Sequence, residues 1–133
     1  MKHLLLISGI LIAQATTTAA ENTTVKNLMN SYQLQGADIG NAKRGEQIWN
    51  KVFPGKPPFI ERSCTTCHTS NLKNTGKHTR TGKTIKPLSP SANQKSMSDA
   101  KKIKKWLKRN CKWTLGRECT AQEKSDILTF INQ

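Results

Sequence analysis

Apolar side chains recur at helical spacing in four segments of the chain. They gather on one side of residues 24–35, 41–52, 99–110 and 121–132, with polar residues between them. A repeat near 3.6 residues is typical of helices that bury one face. No segment alternates apolar and polar positions as a half-buried strand does. The pattern therefore predicts an all-α domain of about four helices.

The ends of these segments carry residues that favour helix caps. Ser98 or Asp99 is placed to cap the third helix, and Gly36 is a plausible stop for the first. Thr120 and Glu123 have the spacing of a capping box, in which each side chain binds the other's backbone N–H. These residues set the boundaries of the predicted helices.

Two stretches lack this periodicity. Residues 53–63 contain three prolines, which remove backbone donors and fix φ, so we predict an irregular segment there. Residues 71–98 are polar and rich in Lys, Thr, Gly and Pro. A loop that long in a single 133-residue domain usually wraps around something.

The amino terminus has the outline of an export signal. Lys2 precedes a short apolar run, and small residues follow it, with cleavage expected after Ala15 or Ala20. The run is shorter than the roughly 20 residues that span a bilayer. We expect residues 1–20 to be removed, leaving a soluble domain of residues 21–133 in the periplasm that does not span the membrane.

The chain is strongly basic, with 22 Lys and Arg against 8 Asp and Glu and a formal net charge of +14. Outside the cytoplasm this charge points to an acidic partner protein or an anionic membrane surface rather than to nucleic acid. The basic residues are also not interleaved with aromatics, as in single-strand binders. A solvated basic face with no dedicated partner is the alternative.

The sequence Cys64-Thr65-Thr66-Cys67-His68 is a C-x-x-C-H motif, the signature of covalent haem attachment. Two thiols at this spacing reach the two vinyl groups on one edge of the porphyrin, and the adjacent His68 is directed towards the iron. A zinc site would need a second close pair of ligands, and a thioredoxin-like pair would need a βαβ unit. The motif predicts one haem c, with His68 as the proximal ligand.

Cys111 and Cys119 remain after the motif has used the other two cysteines. In an exported protein we expect them to form a disulfide that closes a short loop between the last two helices. The chain-entropy relation for so short a loop gives about 2.5 kcal/mol of stability.

Three residues are candidates for the sixth iron position. Met97 is the usual choice in electron-transfer cytochromes, because a thioether raises the potential. His78 lies in a polar loop and is more simply a solvated histidine. Asn110 shares a helix face with Trp106 and Leu107. From the residues alone, Asn110 is more simply a helix-terminal residue in the left-handed conformation.

Several segments together resemble a known family. They are RGEQIW (44–49), SCTTCHT (63–69), TGKTIKPLSPSAN (81–93) and KKWLKRNCKWTLGRECTAQEKSDIL (104–128). They are similar to the sphaeroides haem protein family, which are exported, disulfide-containing class I cytochromes c. The resemblance covers nearly all of the chain after the signal.

This resemblance implies a class I cytochrome c fold around one covalently bound haem, with N- and C-terminal helices crossing at Gly45 and Trp49. It also implies that Asn110, immediately before the first disulfide cysteine, is the distal iron ligand in the ferric state. The related cytochrome c″ has His at that position, and Met97 stands where the family leads us to expect Phe.

The resemblance and the softness of metal ligands lead to one main functional hypothesis. A weak amide ligand suits ferric iron, so its release on reduction would let a diatomic such as oxygen or nitric oxide bind. The electron would come from a dihaem c-type or membrane b-type cytochrome. The alternatives are a plain electron shuttle with a permanent Met97 ligand and a reductase of oxygen, nitric oxide or peroxide. For the reductase no distal acid–base pair is evident, so an enzyme is the weakest of the three.

Overall fold

The structure is a computed structural model that describes residues 22–133. The predicted export signal, residues 1–20, lies outside these described residues. Residues 22–133 form five helices and two small sheets, in the order α1 (Thr23–Gln33), α2 (Ala42–Asn50), β1 (Phe53–Lys56), β2 (Phe59–Arg62), α3 (Thr65–His68), β3 (Gly76–Lys77), β4 (Thr84–Ile85), α4 (Ala100–Leu115) and α5 (Ala121–Ile131).

The four amphipathic segments are confirmed as helices α1, α2, α4 and α5. Asp99 caps α4 by accepting a hydrogen bond from the backbone N–H of Lys102. The predicted capping box of α5 is also present, with Thr120 and Glu123 each binding the other's backbone N–H. The fifth helix, α3, is a single turn that contains most of the C-x-x-C-H motif.

The expectation of an all-α chain with an irregular segment at residues 53–63 is wrong in one respect. Strands β1 and β2 form an antiparallel hairpin there, with Lys56 opposite Phe59. Pro57 and Pro58 are the two turn residues, where no ladder donor is needed, and Pro54 lies in an edge strand. The prolines therefore mark the turn of a hairpin and do not exclude regular structure in this segment.

The long segment of residues 71–98 is ordered by many local hydrogen bonds. Strands β3 and β4 pair as a short antiparallel hairpin. Further on, the backbone N–H groups of Leu88 and Ser89 both donate to the Leu72 carbonyl at 3.0 Å. The buried Ser89 hydroxyl donates to the carbonyl of Gln133, also at 3.0 Å. The segment is thus fastened to the body of the domain.

Helix α4 extends five residues beyond the predicted end at Asn110. Its buried face continues through Cys111 and Thr114, and it ends only where Gly116 takes a left-handed conformation with φ of 76°. The simpler interpretation of Asn110 as a left-handed terminal residue is therefore wrong. Asn110 lies inside the helix, and Gly116 occupies the left-handed position that favours glycine.

Helix α2 crosses α5 at very short range. A Cβ atom at Gly45 would overlap the Asp126 carbonyl and would lie 2.8 Å from the Phe130 Cβ. Only glycine allows this approach. Beside it, Arg44 forms two 2.8 Å hydrogen bonds with the buried Asp126 carboxylate. The predicted helix crossing at Gly45 is present, formed by the second helix rather than the first.

Two apolar clusters make up the core. One joins α1, α4 and α5 and contains Val25, Leu28, Tyr32, Ala37, Ile103 and Leu128. The other contains Trp49, Cys111, Cys119, Ile127 and Ile131, and it borders the C-x-x-C-H motif. None of the helices in residues 22–133 combines the length and apolar character needed to cross a membrane.

Candidate haem site

The single turn of α3 sets the geometry of the motif. Cys64 is the residue before the helix, and its carbonyl accepts hydrogen bonds from the backbone N–H groups of Cys67 at 3.3 Å and His68 at 3.1 Å. The backbone N–H of Ser63 donates to the hydroxyl of Thr66 at 3.0 Å. Both motif cysteines are free thiols and are half-buried. The turn therefore presents two thiols and one imidazole from adjacent positions.

Trp49 secures the end of the motif. Its indole nitrogen donates to the carbonyl of Thr69 at 2.9 Å, and its ring centroid lies 5.5 Å from that of His68. Thr69 has a φ of 65°, which is uncommon for a residue with a side chain. A single buried aromatic on α2 thus holds both the histidine ring and the backbone turn that follows it.

Gly76 of strand β3 packs directly against the backbone of the motif. A Cβ atom there would overlap the Cys67 carbonyl oxygen and would lie 3.0 Å from the His68 Cα. In the same hairpin, the hydroxyl of Thr79 is 3.8 Å from the Cys67 sulfur. The β3–β4 hairpin therefore closes one side of the site, and this contact requires glycine at position 76.

The β1–β2 hairpin joins the site to α4. Arg62, two residues before Cys64, donates to the Trp113 carbonyl at 3.0 Å and lies 5.0 Å from the centre of its ring. Phe59 packs edge-on against the same ring at 5.9 Å. The entry to the motif and the last turns of α4 are consequently fixed to each other.

Burial favours the uncharged forms of Cys64 and His68. It raises the pKa of the Cys64 thiol to about 11, against an opposing hydrogen bond from Thr114. Burial also lowers the pKa of His68, with a smaller contribution from the nearby charge of His78. At neutral pH Cys64 is therefore a thiol and His68 a neutral imidazole, the form that can bind iron.

The surroundings of the motif fit a large apolar group. Cys64 borders the second core cluster together with partly buried apolar side chains from separate parts of the fold, among them Leu72, Leu88, Met97, Leu107, Leu115 and Phe130. A cavity of about 490 Å³ opens beside Cys67 and is lined by Thr65, Thr66, Gly76 and Thr84 among others. Within residues 22–133 the buried Nδ1 of His68 has no hydrogen-bond partner. Free thiols, neutral imidazole and half-covered apolar side chains are the features that a covalently bound haem requires.

The structure places the three candidates for the sixth position differently. Asn110 is half-buried on α4, and its amide makes no hydrogen bond within residues 22–133. One turn further along the same helix, Thr114 reaches the Cys64 thiol. Met97 is half-buried, has a φ of 56° and touches both core clusters. His78 lies in the β3–β4 turn, where its Nδ1 is 3.2 Å from the Thr81 nitrogen.

Some residues of the site were not identified from the sequence. Thr114 went unnoticed because the helix was predicted to end at Asn110, although the two are one turn apart. Gly76 and the hydrogen bond from Trp49 to Thr69 have no local sequence signal. Trp106 was expected on the buried face, but it is 51% exposed and does not belong to the site's interior.

Cys111 and Cys119 form a disulfide, with their Cα atoms 5.5 Å apart. Both residues are buried beside Trp49. A zinc site that used all four cysteines is therefore excluded, since two of the four sulfurs are bonded to each other. The bridge begins at the residue after Asn110 and ties that part of α4 to the start of α5.

Known proteins are similar to this chain in sequence and in fold. Residues 35–131 match the family described as Domain of unknown function (DUF1924). Cytochrome c-type protein SHP of Cereibacter sphaeroides is 36% identical over 131 residues, 98% of each chain. The chain belongs to this family of c-type cytochromes. The solved structure of oxidized SHP, an oxygen-binding cytochrome c, covers 81% of this chain and 95% of its own, with 38% identity and a TM-score of 0.73.

A second family member is cytochrome c″ of Methylophilus methylotrophus, which is 30% identical over 98% of this chain and 93% of its own length. Its solution structure bears on haem-ligand detachment in that protein, and it matches with a TM-score of 0.71 and 28% identity, covering 84% of this chain and 94% of its own. The resemblance found in the sequence is thus confirmed. The fold is of the cytochrome c type, with small sheets added, and family membership implies haem c as the cofactor.

Proposed function

We propose that the chain binds one haem covalently through Cys64 and Cys67, with His68 as the proximal iron ligand. The observation that carries this proposal is the one-turn helix α3, which presents two free thiols and an imidazole beside a half-covered apolar cluster. When bound, the haem supplies an iron that takes up one electron and offers a sixth position to a small ligand. Trp49 and Gly76 hold the protein side of this arrangement in place.

Asn110 is the distal ligand in this proposal. Its amide lacks a hydrogen-bond partner within the described residues, and it lies one turn from Thr114, which reaches Cys64. An amide oxygen is hard and neutral, so it favours ferric over ferrous iron. In this proposal the Asn110 amide would hold the iron in the oxidized protein and would release it on reduction, so that the bound haem would supply a site for oxygen or nitric oxide. The oxygen binding of SHP supports this function.

Met97 gives a second candidate, the plain electron shuttle. Its half-buried position between both core clusters favours it, since its side chain contacts the same apolar cluster as Cys64. The reductase has less support, because it needs an acid–base group on the distal side of the haem. His78 is the one further histidine of residues 22–133, but Thr81 holds it in the β3–β4 turn, and it lies close enough to His68, the proposed proximal ligand, to lower the pKa of His68.

Optical spectra of the purified holoprotein and of two variants test the choice. We expect reduction to give a ferrous form that binds carbon monoxide, and Asn110→Ala to convert the ferric spectrum from low spin to high spin. Met97→Ala, the matched control, should leave the ferric spectrum unchanged. A ferrous spectrum that is low spin and indifferent to carbon monoxide, together with a Met97→Ala variant that loses its ferric low-spin bands, would establish the shuttle instead.

Location and partner complete the proposal. Residues 1–20 direct export to the periplasm, and the electron comes from an acidic redox cytochrome of the dihaem c type or the membrane b type. The large excess of Lys and Arg supports an acidic partner. The mass of the mature protein from a periplasmic fraction would show haem attachment and the cleavage site together.

A further inference from the structure

The outward face of α4 is the most basic element of the described structure. It carries seven cationic side chains and a single carboxylate at its cap, Asp99. Those of Lys102, Lys108 and Lys112 are neutralised by ion pairs with Asp99 or Glu118, at distances of 3.2 to 3.8 Å. Within residues 22–133, no ion pair engages the remaining four, which are Lys101, Lys104, Lys105 and Arg109.

Trp106 lies at the centre of these unpaired cations. Its side chain is 51% exposed, although tryptophan is among the residues that gain most from burial. The ammonium group of Lys105 lies 5.8 Å and the guanidinium of Arg109 lies 5.3 Å from its ring centre. An exposed aromatic flanked by unpaired cations is the composition of an interface hot spot, where Trp and Arg are enriched.

The position of Trp106 connects this surface to the proposed site. Asn110 follows Trp106 by one helical turn, so the two side chains are neighbours on α4. An electron donor seated over Trp106 would be adjacent to the helix that supplies the distal ligand. Asp99 and Glu118 lie at the two ends of this face, which leaves its middle without negative charge.

We propose that Trp106, Lys105 and Arg109 form the docking site for the acidic surface of a redox protein that reduces this cytochrome. This inference rests on the proposed function, and it adds the location and chemistry of the contact. Carboxylates of the partner pair with the two cations and speed the encounter, and the indole supplies the desolvated apolar contact. One electron passes from the donor to the ferric protein, which becomes ferrous as the donor is oxidized by one electron.

Stopped-flow reduction of the holoprotein by flavodoxin hydroquinone, a strongly acidic one-electron donor, tests the proposal. We expect Lys105→Gln/Arg109→Gln to slow reduction about fivefold at low ionic strength and to weaken its salt dependence. Trp106→Ala should raise the flavodoxin concentration needed for half-maximal rate about fivefold. The matched control Lys43→Gln/Lys86→Gln removes the same charge from exposed positions elsewhere and should have much less effect.

Two further measurements separate this proposal from its alternatives. Reduced riboflavin, a small donor with no docking surface, should reduce all variants at the native rate, and all should keep native ferric spectra. An equal slowing of reduction in both charge variants would overturn the proposal, because the attraction would then be spread over the whole surface. Reduction kinetics unchanged by Trp106→Ala would overturn it too, because the indole would then not be part of the contact.

The last measurement is binding of the protein to vesicles of phosphatidylglycerol, an anionic lipid. One outcome would assign this face to a membrane surface instead. In that outcome the protein binds the vesicles with a blue shift of Trp106 fluorescence, and Trp106→Ala leaves the kinetics of reduction by flavodoxin unchanged. The proposed distal ligand is tested separately, because Asn110→Ala changes the spectra whether or not flavodoxin docks at Trp106.

Discussion

The indole nitrogen of Trp49 donates a hydrogen bond of 2.9 Å to the carbonyl of Thr69, the residue that follows His68. Trp49 lies on α2, which is clamped to α5, and His68 ends the single turn of α3. The position of His68, the proposed proximal ligand, is therefore influenced by a helix pair outside the C-x-x-C-H motif. Changes at that pair should reach the proposed iron site.

Replacing Trp49 with Phe tests this connection. Phe keeps most of the ring contact with His68 but removes the donor, which leaves the Thr69 carbonyl without its partner. We expect unfolding by urea to require about 1 kcal/mol less free energy. The ferric absorption bands should also shift as His68 gains freedom. Trp106→Phe, at an exposed ring of the same type, should change neither quantity.

Replacing Gly45 with Ala tests the crossing of α2 and α5. The added methyl group would overlap the Asp126 carbonyl and press on Phe130, so the helices must separate. We expect a loss of about 1–3 kcal/mol in the free energy of unfolding, measured by urea denaturation followed by circular dichroism. The exposed neighbour Glu46→Ala controls for helix propensity and should change stability only slightly. A Gly45→Ala protein as stable as the native one would contradict the close crossing.

The pair of Arg44 and Asp126 predicts a dependence of stability on pH. Burial would raise the pKa of Asp126, but hydrogen bonds from Arg44, Asn41 and Gln122 outweigh it and leave the pKa below its ordinary value of 3.8. The unfolded state then binds the proton more readily, so this contribution is complete above pH 3.8 and is lost as pH falls through the lowered value.

Asp126→Asn should therefore be less stable than the native protein at pH 6, by about 2 kcal/mol given the half-exposed Arg44. The difference between the two proteins should shrink as the pH is lowered from 4 to 2. Urea titrations at a series of pH values measure it. A difference that stays constant over this range would show that the carboxylate charge contributes nothing.

Helix positions could be predicted because they depend on local spacing, and the proposed haem motif is recognised from local spacing too. Val25, Leu28 and Tyr32 mark a buried face without any knowledge of what covers it, and Cys64, Cys67 and His68 are defined by their order alone. The helix crossing at Gly45 and Trp49 was implied by the resemblance to known cytochromes rather than by local spacing.

The remaining features depend on contacts between distant residues. The buried face of α4 continues through Thr114. Threonine does not count as an apolar position in the sequence pattern, so the helix was predicted to end at Asn110. The β1–β2 hairpin was not predicted, because prolines were taken to exclude a strand. Its prolines lie at the turn and in an edge strand, where the missing backbone N–H breaks no required hydrogen bond. Trp106 has the hydrophobicity of a core residue, and only its flanking Lys105 and Arg109 reveal that it faces outward.

The disulfide between Cys111 and Cys119 leads to the last prediction. It closes a short loop of the chain, so its removal should increase the entropy of the unfolded state. We expect Cys111→Ala/Cys119→Ala to lose about 2.5 kcal/mol in the free energy of unfolding by urea. The two small cavities left beside Trp49 should add to this entropic loss, because both cysteines are buried.

The bridge also holds the helical turn that contains Asn110. Without it, the last turns of α4 lose their covalent cross-link to the start of α5 and keep only noncovalent contacts, such as the hydrogen bond from Arg62 to the Trp113 carbonyl, so the Asn110 amide should be less firmly placed. The double variant should therefore show a partly high-spin ferric spectrum at temperatures well below its unfolding transition. Native protein warmed to the same fraction of its own transition temperature is the control. A variant that loses stability yet keeps a wholly low-spin ferric spectrum would show that the bridge stabilises the fold without positioning Asn110.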